Sequence, residues 1–315
     1  MTDNKKVAAE EKLFLMLKLD KDCRRWRLLA WLTFIVLLFT ISANNDKTQE
    51  EVKKKENYIA EIKIDGVIFE DDYRMERLEK LAKKENVKAV ILTIDSPGGS
   101  MVPGLEILDL LRDLAKEKPL VVQMKTVAAS AGFLISLSGE YVVANKATLT
   151  GSVGVLMPLV DATELSKKIG VKSAEIASGD LKSITSPLTK RTDKAQNYLQ
   201  ATVDELQEIF MKEVKLRRDI SKEVEKTISD GRVLIGQKAL DYGLIDAIGG
   251  KKQLLGYLHE QKDISKDLKV VEYSLKKPEK VKFQDILTDQ LTSKISNEIS
   301  AMFATSRAIP MMQAN

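Results

Sequence analysis

Residues 87–94 restrict the fold of this chain more than any other segment. Their sequence, VKAVILTI, is nearly all apolar and mostly β-branched, which is typical of a strand buried on both faces of a parallel sheet. Residues 59–65 (IAEIKID) alternate apolar and polar side chains with the period of a half-buried strand. LVVQM, from Leu120, is a third strand, and helical patterns at residues 74–84 and 105–115 separate the three. Strands that alternate with helices predict an α/β fold with largely parallel pairing.

An uncharged apolar run occupies residues 28–43 (LLAWLTFIVLLFTISA). It approaches the roughly 20 residues that span a bilayer. The arginines in residues 24–27 would place the amino terminus in the cytoplasm and the rest of the chain outside. A cleaved signal peptide is the alternative, but a cut after Ala43 would put Ile41, which is not small, at the third position before the cut. We therefore expect an uncleaved transmembrane anchor over residues 28–45.

The chain divides around this anchor into segments of different composition. These are a polar amino-terminal segment (1–27), the anchor (28–45), a charged linker (46–57), the main α/β domain (58–260) and a carboxy-terminal extension with a strand and an amphipathic helix (261–315). The apolar face of the last helix, residues 283–303, would pack on the domain or on a neighbouring molecule. Binding to a membrane surface is the alternative.

Two residue counts narrow the possible chemistry. The chain has one cysteine, Cys23, and one histidine, His259, so an intramolecular disulfide and a zinc site built from Cys and His are both excluded. Cys23 lies beside the apolar run, where a thiol can be acylated or remain free. The net charge is only +4, and no basic stripe with interleaved aromatic residues is present, so we expect no nucleic-acid partner. We also expect no cofactor and no metal.

Ser130 is the candidate nucleophile. It follows an apolar strand in KTVAASAGFLISLSG, where a short apolar helix should begin, and only alanine and glycine flank it. Little bulk would therefore hinder a peptide backbone that approaches its hydroxyl. A serine at this position can equally be a helix cap, and that alternative stays open.

A serine nucleophile also needs hydrogen-bond donors for the oxyanion. The sequence DSPGG at residues 95–99 follows the buried strand, and its glycines leave backbone N–H groups accessible. We expect the N–H groups of Gly98 and of Ala131, directly after the nucleophile, to form the oxyanion hole. Taken alone, the SPGG sequence is also compatible with a tight turn.

The proton acceptor is expected to be a lysine. His259 lies far downstream in the charged segment YLHEQKD and should face water. Lysine can replace histidine if burial lowers its pKa from about 10.4 toward neutrality. Lys182 follows Gly179 in a segment rich in serine and threonine, ASGDLKSITSP. Ser183 is the candidate for orienting its ammonium group.

Residues 59–250 resemble the signal peptide peptidase A (protease IV) family, whose members are membrane-anchored Ser-Lys peptidases. The matching motifs are DSPGG at 95–99, KP at 118–119, AASAGF at 128–133, TGSVGV at 150–155, GxxKS at 179–183 and GRVxxGxxAxxxGLxDxxGG at 231–250. Their order and spacing carry the resemblance more than any one motif does. Three positions depart from the family pattern: Ala131 replaces a glycine, and Asp180 and Leu181 stand where the family often has a lysine and an aromatic residue. We expect the carboxylate of Asp180 to point away from Lys182.

The resemblance implies both a fold and an activity. The domain at 58–260 would be a Clp/crotonase-like spiral of β-β-α units, with Ser130 as nucleophile and Lys182 as general base. Substrates would be short apolar peptides such as cleaved signal peptides. Because serine and lysine come from different copies in such proteins, a homo-oligomeric ring would form. The anchor would hold it in the bacterial cytoplasmic membrane, with the catalytic domain on the periplasmic side. The alternatives are a crotonase-like acyl-CoA enzyme and a catalytically silent oligomeric scaffold.

Overall fold

The computed structural model describes residue 33 and residues 56–278. Apart from Thr33, the predicted anchor lies outside the described residues, as do Cys23 and the predicted helix at 283–303. Within the part of the chain that is described, no helix has both the length and the apolar character needed to cross a membrane.

Strands and helices follow one another along residues 56–278. The first half contains β1 (Tyr58–Asp65), α1 (Asp72–Ala82), β2 (Val87–Ser96), α2 (Met101–Glu117), β3 (Leu120–Ala129), α3 (Ala131–Ser136), β4 (Tyr141–Ala144) and β5 (Leu149–Gly151). The second half contains α4 (Thr163–Lys168), α5 (Asp193–Arg217), α6 (Lys222–Ile228), β6 (Val233–Ile235), α7 (Gly236–Asp241), β7 (Ala247–Ile248), α8 (Lys251–Gln261) and β8 (Val270–Glu272).

The strands form one mixed sheet with the order β6-β5-β3-β2-β1-β8, and β4 joins β3 to β7. Every pairing is parallel except β5 with β6. The long strand β3 pairs with β4 through residues 121–124 and with β5 through residues 127–129. It therefore belongs to two diverging parts of the sheet. The predicted α/β fold with largely parallel pairing is confirmed.

Apolar cores form on both faces of the sheet. The larger core packs α1, α2, α3 and α5 on one face, and Phe133 and Phe210 are among its largest fully buried side chains. The smaller core lies under α8, where Leu254 and Leu258 cover apolar residues of β1 to β4. Two helical layers therefore bury the central strand β2 on both faces over most of its length, as its sequence predicts.

The predicted carboxy-terminal strand belongs to the main sheet. β8 pairs in parallel with β1, and the N–H of Tyr273 donates to the carbonyl of Glu61. The side chain of Tyr273 is buried in the larger core. The chain beyond residue 260 therefore completes an edge of the domain, at least as far as residue 278.

The segment between β5 and α5, residues 155–191, is much less buried than the rest. Its exposed apolar side chains are Leu156, Val160, Leu165, Ile169, Val171, Ile176 and Leu188. Single exposed apolar residues are common on protein surfaces, whereas this one segment exposes seven within the part of the chain that is described.

Candidate active site

Ser130 occupies a strained backbone position between β3 and α3. Its φ of 53° and ψ of −122° lie outside the ordinary regions for a residue with a side chain, and such a conformation costs about 1–3 kcal/mol. Two backbone hydrogen bonds hold it: its N–H donates to Gly151 at 2.9 Å, and its carbonyl accepts from Leu134 at 2.9 Å. A serine on a strained turn from strand to helix is typical of nucleophiles in hydrolases.

The hydroxyl of Ser130 does not cap the helix that follows. α3 begins directly after this residue, yet its amino end receives no side-chain hydrogen bond. Ser130 therefore occupies the N-cap position of α3, but its hydroxyl makes no capping hydrogen bond. Ser130 instead lines a cleft of about 600 Å³. Most of the other side chains in this cleft are apolar: Phe69, Pro97, Met101, Val155, Leu156, Leu206 and Phe210.

The two glycines of the SPGG loop lie directly against the serine and a neighbouring loop. A Cβ atom added to Gly98, whose φ is +111°, would lie 2.7 Å from the Cβ of Ser130. A Cβ atom added to Gly99 would lie 2.0 Å from the carbonyl oxygen of Ile68. Ile68 N–H also donates to Gly98, and Ser100 N–H donates to Ile68. The loop needs glycine at both positions because backbone and Ser130 occupy the space of a side chain.

The two predicted oxyanion donors differ in whether their N–H groups already make a hydrogen bond. The N–H of Ala131 has no acceptor among residues 56–278 and is free to bind a ligand. The N–H of Gly98 donates to the hydroxyl oxygen of Ser96 at 3.1 Å, within the buried part of the loop. Only one of the two donors is therefore available in this conformation.

Lys182 does not line the Ser130 cleft. It lies on a turn in the 155–191 segment, where its N–H donates to Gly179 at 3.1 Å and its side chain is exposed. Its ammonium group makes no ion pair with any described residue. The carboxylate of Asp180 contacts Lys194 at 3.1 Å, so it is not directed to Lys182. A single chain therefore does not bring the predicted nucleophile and base into one cleft.

Ser183 is engaged elsewhere in this conformation. Hydrogen bonds from the hydroxyls of Ser183, Ser186 and Thr189 to the carboxylate of Glu175 lower the pKa of this glutamate, although desolvation acts in the opposite direction. The side chain of Ser183 thus helps to hold the turn together and is not directed to the ammonium group of Lys182.

His259 is half-buried instead of facing water, and this expectation was wrong. Its Nδ1 lies 2.7 Å from the carbonyl oxygen of Ile264. This contact requires the proton on Nδ1, because a carbonyl oxygen only accepts. The ring fixes the turn after α8 and does not line the Ser130 cleft.

Ser152 is a site residue that the sequence reasoning missed. It lines the same cleft as Ser130 and has a positive φ of 52°. Its N–H donates to the carbonyl of Arg232 at 2.9 Å. The TGSVG sequence could have indicated it, because a serine directly after a glycine at a strand end is a position where unusual backbone angles are expected.

Comparison with known proteins identifies the family to which this sequence is similar. Residues 112–265 match the model of peptidase family S49. A Synechocystis protein provisionally named as a protease is 32% identical over 192 residues, which cover 61% of this chain and 69% of that protein. A provisionally named signal peptide peptidase SppA of Enterococcus faecium is 29% identical over 246 residues, which cover 73% and 71% of the two chains. The chain spans about two thirds of the length of these curated relatives.

A solved structure with a bound peptide is also similar. It is a mutant of the membrane-bound stomatin-specific protease 1510-N in complex with a substrate peptide, 18% identical, with a TM-score of 0.43 over 75% of this chain and 99% of that one.

Proposed function

This chain belongs to peptidase family S49, and we propose that it is a serine endopeptidase in which Ser130 is the nucleophile and Lys182 the general base. The observation that carries the proposal is the backbone strain at Ser130, combined with a hydroxyl that caps no helix and lines an apolar cleft. Strain of this kind persists only where the surrounding structure enforces it, and it clusters at catalytic sites.

In the proposed reaction Ser130 forms and then loses an ester bond to the substrate. The neutral amine of Lys182 accepts the hydroxyl proton while Oγ attacks the peptide carbonyl carbon, which gives a tetrahedral oxyanion. The lysine then gives that proton to the leaving amine as the peptide bond breaks, and an acyl-enzyme remains. Water then attacks the ester carbonyl carbon while the same lysine takes its proton. The lysine gives this proton to Oγ of Ser130 as the ester bond breaks, which releases the carboxylic acid and restores the serine hydroxyl and the neutral amine.

The proposed oxyanion hole requires a small rearrangement. Ala131 supplies one free N–H in the present conformation. The second donor, Gly98, must release the hydroxyl of Ser96, to which it now donates. A glycine can change its φ at low cost because it has no Cβ atom. We propose that a bound peptide carbonyl replaces Ser96 as the acceptor of this N–H.

The proposed base comes from a neighbouring copy of the chain. Lys182 is exposed and lies within the 155–191 segment, where seven apolar side chains are left exposed by the other residues of 56–278. Burial of this segment against a second copy would remove that apolar surface from water. It would also favour the neutral form of a lysine that enters an apolar cleft. A homo-oligomer arranged as a closed ring would bury this segment in every copy and bring its lysine into the apolar cleft of a neighbour.

The proposed substrates are short apolar peptides such as cleaved signal peptides. The apolar lining of the Ser130 cleft supports this class, because each buried leucine or phenylalanine side chain contributes about 1.5–3 kcal/mol to binding. A relative that carries the name signal peptide peptidase supports it as well. An acyl-CoA enzyme of the crotonase type would share the glycine loop but would leave the pairing of serine with lysine unexplained.

The position in the cell and the finer description of the fold are also proposals. We propose that residues 28–45 form a single transmembrane helix, with the amino terminus in the cytoplasm and the catalytic domain on the periplasmic side of a bacterial cytoplasmic membrane. The charge asymmetry around residues 24–27 supports this orientation. The division of β3 between two parts of the sheet supports a Clp/crotonase-like spiral.

Covalent labelling tests the proposed nucleophile and base together. We expect a fluorophosphonate probe to label the assembled protein at Ser130, because the probe reacts with a serine only when a base activates it. Lys182→Ala should reduce the labelling rate at least about 100-fold, the lower end of what a general base contributes. Mass spectrometry of the digested adduct identifies the modified residue. Labelling at another serine, or at an unchanged rate in Lys182→Ala, would contradict the assignment and leave the scaffold or acyl-CoA alternatives.

A pair of glycine variants tests the role of the SPGG loop. Gly98→Ala should lower kcat/KM for an apolar peptide by about 100-fold, because the added Cβ displaces Ser130 from its position. Gly66 is the matched control: its φ of +73° is also positive, but no atom lies within 4 Å of an added Cβ. Gly66→Ala should therefore lower thermal stability slightly and leave kcat/KM unchanged. Equal losses of activity in both variants would mean that backbone strain alone, and not contact with Ser130, explains the effect.

A further inference from the structure

The face of the sheet under α8 changes from apolar to polar along the strands. Side chains of alternate residues share one face of a strand. Near the strand starts, this face carries Ile59, Ile91, Val121 and Val143, which pack under α8. Toward the carboxyl ends, the same face carries Glu61, Lys63, Asp65, Thr93, Asp95, Gln123, Lys125 and Asn145. This polar area lies in the middle of the sheet, and α8 does not cover it. Packing against a helix therefore does not explain why polar side chains occupy it.

A crevice of about 710 Å³ lies over these polar residues. Asp95, Gln123, Lys125 and Asn145 line it, together with the glycines at 249–250 that precede α8. In open α/β sheets, ligands bind outside the carboxyl ends of the parallel strands. The crevice has no lining residue in common with the Ser130 cleft, so it is a separate site.

Gln123 is the strongest indication of a ligand. The residue is only 9% exposed, and its amide makes no hydrogen bond with any residue in the described part of the chain. The amide is not among the polar atoms that are closed off from solvent without a partner, so it keeps its hydrogen-bonding capacity for a ligand that enters the crevice. A Cβ atom added to Gly250 would lie 3.3 Å from the Nε2 atom of Gln123. Glycine at position 250 therefore leaves open the space that a ligand of this amide would use.

Two charged side chains at the crevice have no ion-pair partner among residues 56–278, whereas their charged neighbours do. Lys251 contacts Glu61 at 2.7 Å, and Lys276 contacts Asp65 at 2.7 Å. Asp95 and Lys125 form no ion pair within residues 56–278, with each other or with any other group. One oxygen of Asp95 accepts the N–H of Val127 at 3.0 Å, which leaves its second oxygen available. The crevice therefore offers one free anion and one free cation.

The amino end of α8 adds positive potential on the cationic side. The helix begins at Lys251 and spans 11 residues, and no side chain caps its first turn. Unpaired N–H groups at such an end favour a negatively charged ligand group. A dianion such as phosphate would meet the carboxylate of Asp95 in the same crevice, and this repulsion disfavours it.

We propose that this crevice binds a small zwitterion, either a free amino acid or a short peptide. The ligand carboxylate contacts Lys125 and the amino end of α8, the ligand ammonium contacts Asp95, and the amide of Gln123 hydrogen-bonds the group between them. This arrangement gives a partner to Asp95, Lys125 and the amide of Gln123 at once. The proposal concerns a site without Ser130 and does not depend on the proposed peptidase activity.

Calorimetric titration of the full-length chain tests this proposal. The Ser130→Ala background prevents turnover of the probes, which are alanine, dialanine, N-acetyl-dialanine and dialanine amide. We expect saturable binding of alanine or dialanine, and the tighter of the two identifies the ligand length. Removing either charge should weaken binding at least about tenfold, the value of one charge-assisted hydrogen bond. Blocked dipeptides that bind as tightly as dialanine, or tight binding of inorganic phosphate instead, would overturn the proposal.

Variants of the lining residues locate the site. Lys125→Gln and Gln123→Met should each weaken binding of the zwitterion at least about tenfold. Lys146→Gln is the matched control, because Lys146 is a nearby exposed lysine that does not line the crevice; it should bind normally. Lys125 is exposed, so its variant should fold even if Gln123→Met does not. Unchanged affinity in Lys125→Gln would place the ligand elsewhere and refute the site.

Discussion

Replacing Ser130 with alanine is expected to abolish peptide hydrolysis and to leave the fold intact. Without the hydroxyl no acyl-enzyme can form, so kcat should fall at least about 10³-fold. The fold should persist because the Ser130 hydroxyl caps no helix, and because alanine and serine pay a similar cost at positive φ. The measurement is kcat for an apolar peptide with leucine before the scissile bond, together with the melting temperature of both proteins.

Ser265→Ala is the control for this experiment. Ser265 is an exposed serine in the loop between α8 and β8, outside the Ser130 cleft, so its variant should hydrolyse the peptide at the normal rate. If Ser130→Ala kept more than about a tenth of the original kcat, the assignment of the nucleophile would be wrong.

The second large effect is expected when two inactive variants are combined. Ser130→Ala and Lys182→Ala should each be inactive alone. If each site takes its serine from one copy and its lysine from the next, random assembly of equal amounts restores about a quarter of the sites. The physical reason is that Lys182 is exposed and outside the Ser130 cleft of its own chain. Activity is measured after the two variants are dissociated, mixed and reassembled.

The mixing experiment separates two arrangements of the site. If serine and lysine came from the same chain, the mixture would contain no intact site and would stay inactive. Lys172→Ala provides the matched control, because Lys172 is an exposed lysine of the same 155–191 segment. It should be fully active alone. Recovery well below a quarter would mean that the base reaches Ser130 within one chain, through a movement of this segment.

Much of the fold could be predicted from local sequence patterns. The β-branched run in β2 and the alternation in β1 identified both strands, and the two observed helices differ from the predicted ones by two to four residues at their ends. In α5 the spacing of apolar residues likewise matches one buried helical face: Leu199, Phe210 and Val214 are buried. These patterns are local, because a buried face of a helix or strand requires the same spacing of apolar residues in any fold.

The partners of individual polar groups were much harder to predict. Ser183 was expected to face Lys182 but contacts Glu175, and Gly98 was expected to present a free N–H but donates to Ser96. His259 contacts Ile264 instead of water. A hydrogen bond depends on angles and on distances of a few tenths of an ångström, which the residue order does not specify.

The sequence by itself determined the parallel α/β architecture, the position of Ser130 between strand and helix and the glycines needed beside it, because these follow from side-chain size, period and backbone freedom. Only the tertiary structure decided which groups share a cleft. It set the strained angles of Ser130, separated Lys182 from it, and placed Gln123 in a polar crevice beside the start of α8. The physical reason is that strand pairing and layer packing bring together residues far apart in the chain, and residue order does not encode their distances.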